Sequence, residues 1–583
     1  MKIKHLFGLA VIAAMTASCS SNEDLGTAGP GTGTNEAGVG YATFTINLPS
    51  VSGSTTSGAR GTRATDAGGG AVVDPGTEDE YKVSDATALI FQKYGADEGS
   101  YKFVESVNLP VTGAWEDAEE GVTKSKKLVA KLTNVDTKNT YGVLVLLNNN
   151  ITGGGVKIAL PTAGLSYKKW NDNILNPDLA ELAKTGEFYM ANAPLNKAGK
   201  VTTLVTIDKD KIYSSKEKAE SGTAADVYVE RGVAKMTVAA PGTKTVMDKA
   251  TSAPTKSQVT FSNWALDITN KKTFAVHNID GLSSDFGAIW STARFTGLNK
   301  RVYWGKDPNY SNELLKKTDT DGDDLRNKEF NFIKATSEIN KAFTNPVYCL
   351  ENTFNLTNMY QGQTTRVIFK ATYAPKNDAD VSLAEKDGTF YTIGNMKTIL
   401  KEDKLKEAVD AAATSVLPGC TVNYANLETE GSHVITLEDI KDGTSGAVLE
   451  AAKKYGTGLK TGDEIVAEIN TKLGLKAGRP EEMVGINTYA KGVTYYIARV
   501  KHFGSLTDWH SGESYGDNND KYLGRYGMLR NNWYELTVGN VYGPGYPGVP
   551  PVDPNQPDDE NEKYLSVSVK ILSWAKRSDT VDL

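Results

Sequence analysis

The sequence predicts a mainly β protein, built as two β-sandwiches with helical insertions in the second. Short runs rich in Val, Thr and Tyr recur along the chain, and turns rich in glycine (56 in 583 residues) separate them. Such runs are typical of strands joined by turns. A chain of this length is too long for a single core, so we expect two domains or more. The net charge of -7 favours neither nucleic acid nor an anionic membrane surface as a partner.

The N-terminus predicts an exported protein. Lys2 and Lys4 precede an apolar stretch over 6–15, and small residues lead to Cys19. The apolar stretch is too short to span a bilayer, so residues 1–18 read as a signal peptide. A cysteine at this point resembles a bacterial lipobox, although Thr16 stands where that pattern prefers Leu. We expect lipidation of Cys19; plain secretion with Cys19 removed is the alternative.

Two strands of matching pattern are predicted near the two ends of the chain. The stretches YATFTINL (41–48) and LSVSVKI (565–571) both alternate apolar and polar residues, which is the period of a half-buried strand. The apolar faces consist of Ala42, Phe44, Ile46 and Leu48 in the first strand, and of Leu565, Val567, Val569 and Ile571 in the second.

The segments beside these strands differ in character. Residues 50–70 are rich in Gly, Ser and Thr and contain Arg60 and Arg63, which favours nicking by a trypsin-like protease. Prolines recur between 544 and 557, so this stretch is expected to be an extended spacer that holds the last strand away from its own subunit. A subunit of this kind could cover a groove with its first strand, lose that strand by cleavage and accept a neighbour's last strand. The alternative is that both are ordinary edge strands of its own sheets.

Further elements follow from local patterns. Helices are predicted over 400–417, 463–474 and 173–184, and a domain boundary near 240. Leu405, Val409 and Ala412 share one side of the first of these helices. Strands are predicted at 85–94, 141–149, 201–207, 227–240, 259–268, 364–374, 433–440, 493–503 and 533–542.

No motif in the chain predicts catalysis, a metal or a cofactor. The five histidines lie far apart, so a zinc site is not expected. The acidic loop 319–324 begins like a calcium loop, but Asp324 and Phe330 stand where an EF-hand has Gly and Glu, which favours a solvated loop. Cys349 and Cys420 could pair after export, but unpaired buried thiols are favoured.

Several segments together resemble the landmark segments of Bacteroidales fimbrillins. These are VERGVAKMTV (229–238), NWALDITNKKTF (263–274), PVYCLENTF (346–354), YAKGVTYYIARV (489–500) and RNNWYELTV (530–538). The closing ILSWAKRSDTVDL, behind its prolines, resembles the tail of the major stalk subunit of Mfa-type short fimbriae.

The resemblance implies two transthyretin-like Greek-key β-sandwich domains and export as a lipoprotein through Cys19. It implies cleavage at Arg63 or Arg60 by an arginine-specific surface protease, and a donor strand formed by Leu565, Val567, Val569 and Ile571. The expected regions are a signal peptide (1–18), a propeptide with the first strand (19–63), two sandwiches (64–240 and 241–543), and the spacer with the donor strand (544–583).

The expected function is that of a structural, non-enzymatic stalk pilin of a cell-surface fimbria. The expected partners are identical subunits, anchor and tip subunits, the protease, and the outer membrane through the lipid during export. An accessory or tip adhesin of the same family and a glycan-binding surface lipoprotein are the alternatives.

Overall fold

The computed structural model describes most of the chain between residues 32 and 573. The described residues are 32–48, 76–117, 124–150, 155–197, 200–282, 302, 304–312, 325–394, 398–476, 484–502, 523–552, 554, 557–558 and, for the backbone alone, 565–573. Cys19, Arg60, Arg63 and the acidic loop 319–324 lie outside them.

The first part of the chain forms a nine-stranded sheet around one core. Its strand order is β3-β2-β6-β7-β11-β1-β5-β4, with β10 paired to β6, while β8 and β9 form a separate pair. The strands are β1 (Gly40–Asn47), β2 (Ala86–Gln92), β3 (Lys102–Leu109), β4 (Glu116–Asp117), β5 (Lys124–Leu132), β6 (Tyr141–Leu147), β7 (Met190–Asn192), β8 (Leu195–Lys197), β9 (Lys200–Thr202), β10 (Val205–Ile207) and β11 (Ala225–Arg231), and the helices are α1 (Glu78–Tyr81), α2 (Tyr167–Asn171), α3 (Leu179–Leu182) and α4 (Lys216–Ser221).

This sheet closes on itself rather than lying flat. Glu105 of β3 accepts hydrogen bonds from the N–H groups of Thr133 and Asn134, just beyond β5, with its Oε1 3.0 Å from each nitrogen. The two ends of the strand order therefore approach each other. Phe44 and Leu128 on one side share a core with Leu89 on the other, which is the layered packing of a sandwich.

The second part of the chain forms an eight-stranded sheet with an insertion. The sheet has the order β17-β12-β27-β13-β14-β18-β26, with β28 paired to β27. The elements are β12 (Ala234–Val238), β13 (Thr243–Met247), β14 (Pro254–Asp267), β15 (Thr269–Asn270), α5 (Arg326–Glu329), β16 (Phe330–Asn331), β17 (Val347–Cys349), β18 (Arg366–Ala374), β19 (Phe390–Ile393), α6 (Glu402–Val416), β20 (Thr421–Val422), β21 (Gly431–His433), β22 (Ile440–Lys441), β23 (Lys454–Tyr455), β24 (Lys460–Thr461), α7 (Gly462–Lys472), β25 (Ile486–Tyr489), β26 (Val493–Arg499), β27 (Asn532–Val541) and β28 (Leu565–Ser573).

The insertion between β18 and β26 has a core of its own. Helix α6 buries Leu405, Val409 and Ala413 along one side, and α7 buries Ile465 and Ile469. These side chains pack together above the three-stranded sheet β19-β25-β21. The spacing of three or four residues between them is that of a helix with one apolar face.

The mainly β prediction is confirmed, and so are helical insertions at 402–416 and 462–472. Several local predictions are wrong, among them the single strand over 201–207, which is the two strands β9 and β10. Residues 433–440 do not form a strand, because Leu437–Asp439 is a 3-10 turn that the Asp439 side chain closes on Thr436. The predicted helix over 173–184 shrinks to Leu179–Leu182, since Pro177 precedes it.

The predicted strand over 227–240 is two strands that belong to different sheets. β11 ends at Arg231 in the first sheet, and β12 begins at Ala234 in the second. The chain thus passes from one sheet to the other through Gly232 and Val233, a few residues before position 240.

We expect Phe44→Ala in the full-length chain to lower the free energy of unfolding by about 3–5 kcal/mol, because it empties a fully buried site in the first core. Thr45→Ala, on the opposite and partly exposed face of β1, should change it by about 0.5 kcal/mol or less. Urea titrations followed by circular dichroism measure both. Equal stability of the two variants would show that β1 is not part of this core.

Candidate functional site

The first strand lies inside the first sheet, with hydrogen-bonded neighbours on both sides. β1 pairs antiparallel with β5 along its whole length, from Gly40 opposite Leu132 to Asn47 opposite Ser125. Its second half pairs parallel with β11, with Phe44 opposite Ala225. Loss of β1 would therefore expose the backbone groups of two strands at once, which is the kind of edge that binds another strand.

The apolar face of β1 fills the core as the alternating pattern predicts. Ala42 and Leu48 are 1% exposed, and Phe44 and Ile46 are fully buried. Burial of side chains of this kind stabilises by roughly 1.5–3 kcal/mol each. Removal of the strand would leave an elongated apolar slot between β5 and β11, and we call it the β1 slot.

Contacts outside the ladder extend the attachment of this segment. The Thr43 hydroxyl donates to the carbonyl of Ala219 at 2.6 Å. Tyr41 exchanges two backbone hydrogen bonds with Tyr213, each 2.8 Å long, and the N–H of Gly33 donates to the carbonyl of Ile212 at 2.7 Å. The segment 33–48 is thus bound over a greater length than the strand itself.

The described part of the chain resumes at Gly76, and Glu80 of α1 binds residues of the second sheet. The Lys235 ammonium lies 2.7 Å from Glu80 Oε1, and the Tyr348 hydroxyl donates to the same oxygen at 2.6 Å. Arg231 Nε donates to the Glu80 carbonyl at 2.7 Å. Lys235 also lies 3.8 Å above the centre of the Trp533 ring. We call these five residues the Glu80 cluster.

Burial and hydrogen bonding act in opposite directions on Glu80. Burial alone would raise the pKa of its carboxyl, but the hydrogen bonds from Lys235 and Tyr348 outweigh it, and the pKa is lowered. The charged pair therefore stabilises the junction of the two sheets at neutral pH. Sequence analysis missed this cluster, although Thr77 and Glu80 have the T-x-x-E spacing of a helix start.

The C-terminal strand is placed on its own subunit. The backbone of β28 pairs antiparallel with β27, with Leu565 opposite Val541 and Ser573 opposite Asn532. The expected donor residues Leu565, Val567, Val569 and Ile571 all lie on this strand. β27 meanwhile pairs with β12 and β13 on its other side.

The proline-rich spacer does not hold the strand away from its own subunit, contrary to the sequence-based expectation. Tyr546 exchanges backbone hydrogen bonds of 2.8 Å with Tyr495 of β26. Asp558 is fully buried, and its N–H donates to the carbonyl of Met359 at 3.1 Å. The expectation was wrong because prolines restrict the backbone but still leave carbonyls that side chains of the subunit can bind.

The thiols and the histidine that could have reacted or bound a metal lie in the interior among packing contacts. Cys349 and Cys420 are free and buried in different cores, as favoured from the sequence. His277 Nδ1 lies 2.8 Å from Glu230 Oε1, in the interior. Within the described ranges, no group of His, Cys, Asp and Glu is arranged to hold a metal ion. No helix in those ranges is long and apolar enough to cross a membrane.

Two other buried carboxyls titrate in the opposite sense from Glu80. Burial raises the pKa of Glu98 to about 7, although the N–H groups of Thr203 and Leu204 donate to it. Burial also raises the pKa of Asp307 to about 7. Their contribution to stability is present below their unfolded pKa values and is lost as pH rises through 7.

We expect Glu80→Gln to cost about 3–5 kcal/mol at pH 7, because it leaves the Lys235 charge buried without its partner. The pKa of Glu80 is lowered on folding, so its contribution is present above the unfolded value of 4.5 and is lost as pH falls through the folded value. The difference between variant and parent should therefore shrink in acid. Urea unfolding at pH 7 and at pH 3.5 measures it.

Glu78→Gln is the matched control, because Glu78 is exposed on the same helix. Glu98 and Asp307 titrate in the parent and in both variants. The quantity compared is therefore the difference in the free energy of unfolding between each variant and the parent at the same pH. A Glu80→Gln penalty that stays constant across pH would contradict the ion pair.

The C-terminal part of this arrangement matches a known family. Residues 487–580, which include β26, β27, the spacer and β28, match the family described as "Major fimbrial subunit protein type IV, Fimbrillin, C-terminal". No curated protein matches the sequence. A solved fimbrial assembly protein from Parabacteroides distasonis is similar at 11% identity, over 62% of this chain and 94% of that chain; its TM-score of 0.27 is too low to support an argument. The match over residues 487–580 supports the resemblance noted in the sequence for this C-terminal part of the chain, which is similar to the C-terminal region of fimbrillins.

Proposed function

We propose that the chain is the repeating stalk subunit of a cell-surface fimbria, and that its subunits join by exchange of strands. The observation that carries the proposal is the place of β1. It is an interior strand of the first sheet, yet it lies upstream of an arginine-containing segment and could be removed without breaking the chain that follows. A subunit without β1 would have an apolar slot and a C-terminal strand of the same alternating pattern.

In the proposed assembly pathway, the chain is first exported and lipidated at Cys19. An arginine-specific surface protease then cleaves after Arg63 or Arg60, and β1 leaves. Leu565, Val567, Val569 and Ile571 of the next subunit enter the β1 slot. The first sheet is complete both before and after the exchange, because one strand replaces another.

The exchange is energetically reasonable. Ala42, Phe44, Ile46 and Leu48 leave the slot, and four aliphatic side chains of the incoming strand replace them. Burial stabilises by roughly 1.5–3 kcal/mol for each of the larger side chains and by about 0.8 kcal/mol for the methyl group of Ala42. Each backbone hydrogen bond that forms again contributes about 0.5–1.5 kcal/mol. The sums for the two strands are similar, so we infer that cleavage, which sets β1 free to leave, gives the exchange its direction.

This proposal makes the chain a structural protein rather than an enzyme, with identical subunits, anchor and tip subunits as its partners. An accessory or tip adhesin would also carry the fimbrillin C-terminal region, and a glycan-binding lipoprotein would stay monomeric. Electron microscopy of shed surface material separates these functions, because only the stalk subunit makes up the length of a fibre.

We expect Arg60→Ala combined with Arg63→Ala to give a folded, lipidated monomer that does not polymerise, because β1 stays in its slot. The mature subunit in wild-type fibres should begin at Ala64 or Gly61. Mass spectrometry of the N-terminus and native gels of the double variant measure these outcomes. Fibres built from chains that still begin at Cys19 would rule out the cleavage step.

We expect Val567→Asp and Val569→Asp each to abolish assembly, because a carboxylate without a partner is strongly disfavoured in an apolar slot. Ser566→Asp and Ser568→Asp are the matched controls, since they place the same charge on the other face of the strand. Assembly after proteolysis is measured by negative-stain microscopy.

The same four variants distinguish exchange from simple pairing with β27. In monomers that retain Arg60→Ala and Arg63→Ala, β28 pairs with β27, so Val569→Asp should lower the melting temperature no more than Ser568→Asp does if the apolar face acts in a neighbour. A large loss of monomer stability for Val569→Asp alone would show that β28 belongs to its own subunit.

A further inference from the structure

We propose that Arg366, held by Asp267, is a positioning residue that straps the spacer to its own subunit, so that the donor strand swings from a pivot at Asp558. The inference rests on the proposed function, since it concerns where the donor strand leaves the subunit. We call residues 543–558 the strap.

The Arg366 guanidinium binds the strap through two carbonyls. Its Nη2 donates to the carbonyl of Pro550 at 2.6 Å, and its Nη1 donates to the carbonyl of Pro551 at 3.1 Å. Nε donates to Asp267 Oδ2 at 2.8 Å. The side chain is only 2% exposed. The planar fork spreads its donors over three nitrogens and so reaches a carboxylate and two separate carbonyls at once, whereas the three donors of a lysine radiate from a single nitrogen.

Asp267 is itself fixed, so it orients Arg366 rather than merely neutralising it. Its Oδ1 accepts the N–H of Ile333 at 2.8 Å and the N–H of Ile268 at 3.0 Å. The carboxylate is 1% exposed. Pro550 is buried, so its carbonyl needs a donor from the body of the subunit. Arg366 supplies that donor.

The start of the strap covers the free edge of β26. Tyr546 pairs with Tyr495, and the Tyr496 hydroxyl donates to the carbonyl of Gly543 at 2.8 Å. At Gly545 the backbone has a φ of +68°, and a Cβ would lie 2.5 Å from the Tyr495 carbonyl oxygen. Only glycine fits there, so the approach of the strap to this edge is part of the fold.

The end of the strap is anchored at Asp558. The Thr364 hydroxyl donates to Asp558 Oδ2 at 3.0 Å, and the Asp558 N–H donates to Met359. β28 begins at Leu565. The chain between these two residues spans at most about 25 Å, whereas a spacer free from Tyr542 onward would reach roughly 80 Å. The strap therefore restricts the donor strand to slots that lie within about 25 Å of Asp558.

The first test is hydrogen exchange in the monomer that carries Arg60→Ala and Arg63→Ala. Arg366→Lys keeps a cation beside Asp267 but loses the fork, so the amides of Val549, Val552 and Asp558 should exchange about tenfold faster, the factor that one charge-assisted hydrogen bond amounts to. Arg530→Lys is the matched control: Arg530 is 3% exposed and bound to Glu351 at 3.1 Å, and its side-chain hydrogen bonds go to Glu351, Thr273 and Phe274 rather than to the strap.

If Arg366→Lys does not fold, Asp558→Ala removes the pivot from the side of the strap without touching the buried ion pair. It should speed exchange at the same amides. Unchanged exchange in every folded strap variant, or an equal increase in Arg530→Lys, would overturn the strap whether or not the chain makes fibres.

The second test concerns the fibre. Arg366→Lys fibres should lose stiffness in micrographs while the subunits keep their melting temperature, and insertion of a ten-residue Gly-Ser segment after Asp558 should cause the same loss in the parent. Faster exchange with unchanged fibre stiffness would show that the strap exists but does not position the strand. Absence of fibres in the parent would refute the proposed function and leave the exchange result standing.

Discussion

The place of β1 in the interior of the first sheet is the constraint on which the rest of this structure depends. A strand at the edge of a sheet can leave at the cost of one row of hydrogen bonds, but β1 satisfies two rows and also fills the core with Phe44 and Ile46. The first domain is therefore complete only while some strand occupies that place. A vacancy in that place would expose both apolar surface and unpaired backbone groups to water.

The junction between the two sheets is held by contacts that do not involve β1. The Glu80 cluster is built from residues that follow the arginine-containing segment, so none of its contacts depends on β1 itself. Because Lys235 and Tyr348 belong to the second sheet, the ion pair fixes Glu80 of α1 against that sheet. A buried pair of this kind is weak evidence for added stability, but it specifies one arrangement of the two domains.

The alternation of residues 41–48 was enough to predict a buried face, and the spacing of Leu405 and Val409 was enough to predict a helix. Both are local patterns with one period. The strap and the Glu80 cluster were not predictable in this way. Arg366 contacts Pro550, which lies nearly two hundred residues away in the sequence. Nothing in the local sequence around an arginine shows whether its side chain is buried or exposed. Residues 433–440 misled for a related reason: their apolar alternation is real, but Asp439 closes a turn on Thr436 within it.

β1 has one parallel neighbour, β11, and one antiparallel neighbour, β5. Any strand in that position meets one neighbour of each kind, whichever way it runs. The two directions thus differ little in hydrogen bonding, since a parallel pairing is only slightly weaker than an antiparallel one. The polarity of an incoming strand is left to the shapes of the side-chain sites, above all the large one that Phe44 fills, and to the point from which the strand is tethered. If subunits join through the β1 slot, their relative direction along a filament would be set by side-chain packing and the tether rather than by backbone hydrogen bonding.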